Sequence, residues 1–140
     1  MQTVLFACIH NAGRSQMAAA LFNALADPTK ARATCAGTQP ADAVHPEVIA
    51  VMRELGIDLA SAKPQPLTDH LARQADILIT MGCGEACPVV PGVQRDDWPV
   101  ADPKGLSLEQ VRAIRDEIHQ RVLHLVHNNG WERCARLLSE

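Results

Sequence analysis

The sequence predicts an α/β fold: a four-stranded parallel sheet with helices on both faces, in a single-domain three-layer sandwich. Three observations carry this. Short apolar runs alternate with segments of helical period, the pattern of strand–helix–strand units. Two runs, Thr3–Ala7 and Ala75–Met81, are nearly continuous in apolar residues, as strands covered on both faces are. The chain has 140 residues, 47% of them hydrophobic, with no repeat or linker, which fits one domain over residues 1–140 with a real core.

The elements follow in order. Thr3–Ala7 is a buried strand ending at Cys8. Ser15 to Ala26 is a helix with Met17, Leu21, Ala24 and Leu25 on one face, and Asp27-Pro28 ends it. Ala31 to Cys35 is a second strand, closed by Ala36-Gly37. His45-Pro46-Glu47 opens a helix with Val48, Val51, Met52 and Leu55 inward and Gly56 as the stop; Pro46 suits a first helical turn. A loop over Ser61 to Pro66 leads to a short helix over Thr68 to Gln74. Ala75–Met81 is the third strand, and Val93 to Trp98 a weaker fourth. Ser107-x-x-Gln110 is a capping box. It opens a long helix on which Leu108, Val111, Ile114, Ile118, Val122 and Leu125 keep the period to about His127. Asn128-Asn129-Gly130 breaks it, and residues 131–139 are expected to form a short closing helix.

Composition narrows the functional classes. Aromatics make up 3% and Tyr is absent, so the core is built from Ala, Val, Leu, Ile and Met. The net charge of −3 gives no global field for nucleic acid or anionic lipid. A bound anion must be held locally. Met1–Phe6 has no basic leader, and no window reaches the ~20 apolar residues of a membrane span. A cytoplasmic monomer is the expectation. Five cysteines, at 8, 35, 83, 87 and 134, argue against a structural disulfide framework and for catalytic, redox-active or buried thiols.

Parallel sheets bind ligands at the carboxyl ends of their strands. Cys8, Cys83 and Asp102 follow the first, third and fourth strands. Five residues separate Cys8 from Arg14, between a strand and a helix. A loop of that length can wrap the backbone N–H groups of Ile9, His10, Asn11, Ala12, Gly13 and Arg14 around a tetrahedral anion, and the helix adds its positive end. Arg14 can grip two anion oxygens with its planar fork. Gly13 lets the backbone come close. A thiol in such surroundings can fall from ~8.5 to about 3.5–7.5 in pKa, so Cys8 is expected to be a thiolate, with Ser15 donating to it. A thiolate facing an oxyanion is a nucleophile in position. The competing reading is a buried strand-end cysteine beside a solvated arginine. The Gly-Lys pair of a nucleotide-binding loop is absent.

Cys8-x5-Arg14-Ser15 after a strand, with Asp102-Pro103 far downstream, resembles the low-molecular-weight protein tyrosine phosphatase fold over nearly the whole chain. The resemblance implies Cys8 as nucleophile, Arg14 as oxyanion holder and Asp102 as general acid. Thr80-Met81-Gly82-Cys83-Gly84-Glu85-Ala86-Cys87-Pro88 resembles the arsenate reductases built on that fold. It implies attack of Cys8 on arsenate, a Cys8–Cys83 disulfide as arsenite leaves, and a Cys83–Cys87 disulfide passed to thioredoxin by thiol exchange. Phosphate or sulfate would fit the same loop, and no tightly bound cofactor is implied.

The sequence also departs from the pattern. The spacing Cys83-x3-Cys87 is narrower than in the best-known thioredoxin-coupled members. Gly-Cys-Gly-Glu-Ala-Cys-Pro is also similar to the branch that uses mycothiol and a mycoredoxin, where the small thiol attacks the adduct. Both routes stay open. Where some members carry a potassium-binding Glu on the first helix, this chain has Ala19. The cysteine pair has other readings: a zinc site, which lacks two further ligands, or two packed thiols. A phosphatase hydrolysing phosphate monoesters and a non-catalytic oxyanion-binding module are the rival functions; the phosphatase reading lacks aromatics near the loop. Cys35 reads as a core residue, and Cys134 as inert. His119, His124 and His127 read as solvated or capping. His10 lies inside the anion loop. Asp96 and Asp97 are weaker candidates than Asp102 for the acid.

Overall fold

The computed structural model describes residues 1–82 and 90–133. Among these, β1 (Gln2–Cys8), β2 (Ala31–Gly37), β3 (Ile77–Thr80) and β4 (Gln94–Asp97) form one parallel sheet in the order β2-β1-β3-β4. The helices are α1 (Arg14–Leu25), α2 (Pro46–Arg53), α3 (Asp69–Gln74) and α4 (Leu108–Asn128).

The predicted three layers are present, and they are unequal. Alternate residues of a strand face opposite sides. Val4, Phe6, Ile77 and Ile79 join Met17, Leu21 and Phe22 of α1, Val48 and Met52 of α2, and Val111, Ile118 and Val122 of α4 in a large core. Leu5, Ala7 and Leu78 face the other way, onto Ala72 and Ala75 in a small core beneath α3. The scarce aromatics are concentrated: the Phe6 ring lies 6.2 Å from Phe22 and 5.5 Å from Trp98. β4 is one of the two sheet edges, and its Gln-Arg-Asp-Asp residues are all exposed. Charge on an edge strand discourages pairing with another chain.

Several boundaries and faces differ from expectation, each for a local reason. Ala24 is exposed and Leu25 half-buried, because Ala18 and Phe22 complete the buried stripe with Met17 and Leu21. Leu55 is 41% exposed. α2 stops at Arg53 with Glu54 as its cap, so Leu55 falls in the turn that Gly56 closes at φ 78°. Leu108 is 43% exposed at the first turn of α4, and Val126 is more deeply buried than Leu125. Glu132 makes an antiparallel bridge with Ala26 instead of opening a helix; residues 134–139 of that expected helix, Cys134 included, lie outside the described residues.

The predicted capping box is present, and the structure adds a cap at Thr68. Ser107 and Gln110 form the capping box of α4, and Thr68 Oγ1 accepts from Leu71 N at 3.1 Å. Such caps contribute about 1 kcal/mol each. After α1, Asp27 accepts from the backbone and hydroxyl of Thr29, which lowers its carboxyl from the ordinary value.

β1 is the centre of the sheet, with β2 on one side and β3 on the other. The connections leaving β1 and β3 therefore diverge, and a crevice opens at the carboxyl end of β1. Cys8 is the last residue of that strand.

Candidate active site

The loop between β1 and α1 is built by its carbonyl groups. Cys8 O accepts from Thr38 N (3.1 Å), Ile9 O from Gln39 N (2.8 Å), His10 O from Ala41 N (2.9 Å) and Ala12 O from His45 N (3.0 Å). Asn11 O accepts from Gln16 Nε2 at 3.1 Å. Thus the carbonyls of residues 8–12 all point outward, into the segment after β2 or onto α1. In a trans peptide the next residue's N–H points the opposite way. The N–H groups of Ile9, His10, Asn11, Ala12 and Gly13 are thereby turned to the inside of the loop, where Asn11 N donates to Cys8 Sγ at 3.3 Å. Arg14 begins α1, so the positive end of a 12-residue helix meets the same space.

Cys8 Sγ lies at the base of this cup, 2% exposed, 2.8 Å from Ser15 Oγ. Asn11 is fully buried at φ 51°, in the left-handed region that Asn tolerates better than most residues. Its Nδ2 donates to Ser15 Oγ at 2.7 Å. Two glycines allow the close packing. A Cβ on Gly37 would meet Ile9 O at 2.5 Å, and one on Gly13 would meet Pro103 Cγ at 2.5 Å. Gly13 is thus the point where the Asp102-Pro103 turn rests on the loop.

Arg14 is 6% exposed. Its Nη1 donates to Val100 O at 3.2 Å, and its Nη2 lies 3.8 Å from Asp102 Oδ2. Gly82 touches the same guanidinium: a Cβ there would meet Arg14 Nη1 at 2.3 Å, and its φ is 95°. Loops after β1, β3 and β4 therefore converge on one thiol and one guanidinium. A buried thiol among inward N–H groups, a helix N-terminus and a guanidinium that is incompletely paired among the described residues can receive a tetrahedral oxyanion and attack its central atom.

Residues 3–135 match the family model described as low molecular weight phosphotyrosine protein phosphatase. The chain belongs to this family. A putative arsenate reductase of Halobacterium salinarum is 40% identical over 124 residues, covering 86% of this chain and 87% of that protein. The glutaredoxin arsenate reductase of Synechocystis is 36% identical over 129 residues, 90% of this chain and 97% of that one. Among solved structures, a thioredoxin-dependent arsenate reductase of Corynebacterium glutamicum has a TM-score of 0.79 at 39% identity, over 91% of this chain and 61% of that one. The chain thus spans less than two thirds of that last protein.

Within this phosphatase family fold, the structure brings Cys8, Arg14, Ser15 and Asp102 together with residues 9–13. Cys83 and Cys87 lie outside the described residues; Gly82, immediately before Cys83, is the last described residue on that side. Asp102 is half-exposed and accepts from Lys104 N at 3.0 Å. Asp96 and Asp97 belong to β4 and are engaged elsewhere: Asp96 accepts from Trp98 Nε1 at 3.2 Å, and Asp97 accepts from Thr80 Oγ1. His10 is half-buried in the loop. Cys35 packs against the large core, and burial pushes its thiol up. His127 pairs with Glu132 at 3.1 Å. Ala19 is buried among apolar residues. Among the described residues no group of three His, Cys, Asp or Glu could hold a metal, and no helix is long and apolar enough to cross a membrane.

The sequence reading missed the side chain of Asn11, together with Gln16, Gly37, Gln65 and Gly82. Asn in the middle of a tight loop is a signal for a left-handed residue. The roles of Gln16 and Gln65 depend on contacts between segments far apart in the chain, which no local pattern carries.

Proposed function

We propose that this chain is an arsenate reductase in which Cys8 is the nucleophile and Cys83 and Cys87 carry the oxidation to thioredoxin. The reading rests above all on the cup around Cys8 Sγ: outward carbonyls, inward N–H groups, Ser15 at 2.8 Å and the Arg14 fork beside Asp102. The names of the relatives favour arsenate as the substrate. Phosphate and sulfate are competing ligands of the same loop.

The chemistry balances as follows. Arsenate seats against the N–H groups of residues 9–14 and the Arg14 guanidinium. The Cys8 thiolate bonds to arsenic, and one arsenate oxygen leaves as water with a proton from Asp102. Cys83 attacks Cys8 Sγ; the electron pair of the sulfur–arsenic bond stays on arsenic, which leaves as arsenite. Two thiols are oxidised to a disulfide and As(V) is reduced to As(III). Cys87 then attacks Cys83, freeing Cys8, and thioredoxin reduces the Cys83–Cys87 disulfide. The contact of Gly82 with Arg14 supports this order, because it tethers the chain entering Cys83 beside the oxyanion site. A dithiol reductant such as thioredoxin or glutaredoxin is favoured over mycothiol, since the relatives' names refer to the former two. Such a reductant implies a cytoplasmic setting.

The test is arsenate-dependent NADPH oxidation with thioredoxin and its reductase, compared with hydrolysis of an aryl phosphate. Arsenate turnover that disappears in Cys8→Ser and in Cys87→Ser supports the relay. Full turnover by Cys87→Ser with a small thiol would move the assignment to the mycothiol route. Fast ester hydrolysis without arsenate turnover would make the chain a phosphatase. Retained activity in Cys8→Ser would refute the nucleophile.

A further inference from the structure

We propose that Gln16 is a positioning residue for the Cys8 thiolate, acting through Asn11 and Ser15 by fixing the direction of one hydrogen-bond chain. The inference rests on Cys8 being the nucleophile.

Gln16 is 5% exposed and follows Ser15 in the first turn of α1. Its Nε2 lies 3.1 Å from Asn11 O, 3.2 Å from Asn11 Oδ1 and 3.3 Å from Lys63 O. The two backbone oxygens can only accept, so the atom facing them must be the nitrogen. The orientation of the Gln16 amide is thereby determined. The same logic fixes Asn11. Its Oδ1 also faces Gln65 N at 2.9 Å, a backbone N–H that can only donate. With Oδ1 held by two donors, Nδ2 is the atom turned to Ser15 Oγ, 2.7 Å away. Ser15 Oγ thus accepts from Asn11, and its own proton is free to point at Cys8 Sγ, 2.8 Å away.

The polarity of the chain matters for chemistry. A hydroxyl that donates to sulfur favours the thiolate, and hydrogen bonds to charged groups are the strong ones. If the Asn11 amide rotated, Oδ1 would face Ser15, and the hydroxyl proton would turn away from sulfur. Gln16 opposes that rotation from α1, and Gln65 opposes it from the 61–66 loop. That loop is itself tied to β2 through Gly37 N donating to Gln65 O and Gln65 Nε2 donating to Cys35 O. The thiolate is therefore supported by a segment that touches neither sulfur nor substrate.

The test uses the rate of Cys8 alkylation by iodoacetamide against pH, which reads the thiolate without arsenate. Gln16→Glu presents carboxylate oxygens to three acceptors and forces Asn11 to rotate. Its alkylation rate at pH 6 should fall at least about fivefold, with the profile displaced to higher pH, as expected for loss of one charge-assisted hydrogen bond. Gln16→Leu leaves Gln65 in place and should give a smaller displacement in the same direction. The Gln16→Leu displacement should vanish when Ser15→Ala is already present, and the Gln16→Glu displacement should shrink to what its added charge exerts directly. A wild-type profile in a folded Gln16 variant, or a Gln16→Leu displacement that persists with Ser15→Ala, would overturn the proposal. The wild-type protein supplies a test that no folding defect can block: the Gln16 side-chain amide resonances should move as Cys8 titrates, and their invariance would also overturn it. A normal alkylation response alongside a failed arsenate assay would count against the substrate and not against Gln16.

Discussion

Arg14 and Arg115 are buried to almost the same depth, 6% and 8% exposed, yet their surroundings differ. Arg115 Nη1 donates to Val51 O at 2.8 Å and to Glu54 Oε1 at 2.7 Å, and its Nε to Asp116 Oδ1 at 3.0 Å. Arg112 shares Glu54 from the preceding turn, at 2.8–3.0 Å. These contacts lock α4 to the carboxyl end of α2. Arg14, among the described residues, has one carbonyl at 3.2 Å and one carboxylate at 3.8 Å, beyond hydrogen-bond range. A buried cation that two carboxylates and a carbonyl engage at 2.7–3.0 Å holds a fold together. One that has donors to spare among the described residues, at the mouth of a loop of inward N–H groups, is prepared for an anion from outside.

The largest expected break in this comparison is Arg14→Lys. An ammonium keeps the charge but loses the planar fork. Arsenate kcat/KM should fall by about 10²–10³, in the range seen when one preorganised oxyanion donor is removed. Aryl phosphate hydrolysis should fall with it, and the Tm should change little. Steady-state kinetics beside a thermal melt checks both. Near-wild-type kcat/KM would remove Arg14 from the oxyanion site.

Gly82→Ala probes the same guanidinium indirectly. The new Cβ would meet Arg14 Nη1 at 2.3 Å, and the backbone stands at φ 95°. The end of an arginine can yield, so the larger cost falls on geometry. A misplacement of about 1 Å can cost ~10²-fold in rate, and a drop of about 10–100-fold in kcat/KM is expected. A variant with full activity would show that Arg14 is free to move without consequence.

These two variants also show where sequence reading reached and where it stopped. β1, the anion loop and α1 are contiguous, so periodicity and spacing exposed Cys8, Arg14 and Ser15 together. Asp102 was legible through Pro103, and the structure adds the reason: Pro103 packs where Gly13 lacks a side chain. Gly82 and Gln65 were not legible, because each matters through one contact with a residue more than fifty positions away. Leu55 and Ala24 were misplaced because a helical face continues in sequence after the helix, or its packing, has ended. Glu54, an ordinary glutamate in sequence, becomes a junction only when α2 and α4 meet.

Changes at the matched arginine should leave the chemistry alone. Arg115→Leu removes the donor to Val51 O and one partner of Glu54 while preserving side-chain bulk in the interface. The Tm should fall by several degrees, with kcat/KM within about twofold of wild type, since sites without shared partners act independently. An activity loss comparable to that of Arg14→Lys would mean that the two arginines are coupled through α4 and the core, and the contrast between them would fail.

The smallest effect concerns Glu54, and its sign follows from its titration. Hydrogen bonds from Arg112 and then Arg115 hold its carboxyl at about 2, against an ordinary value of 4.5. A depressed value means that the folded state favours the ionised form. The stabilisation is therefore fully present above pH 4.5 and is lost as pH falls toward 2. Because Glu54 is 40% exposed, solvent and salt screen much of it. Wild type should melt slightly above Glu54→Gln at pH 6, and the gap should close across that window. It should also shrink in 1 M salt, where screening acts within about 3 Å. A gap that survives below the window would assign the role of Glu54 to packing, and the matched arginines would then be held by shape as much as by charge.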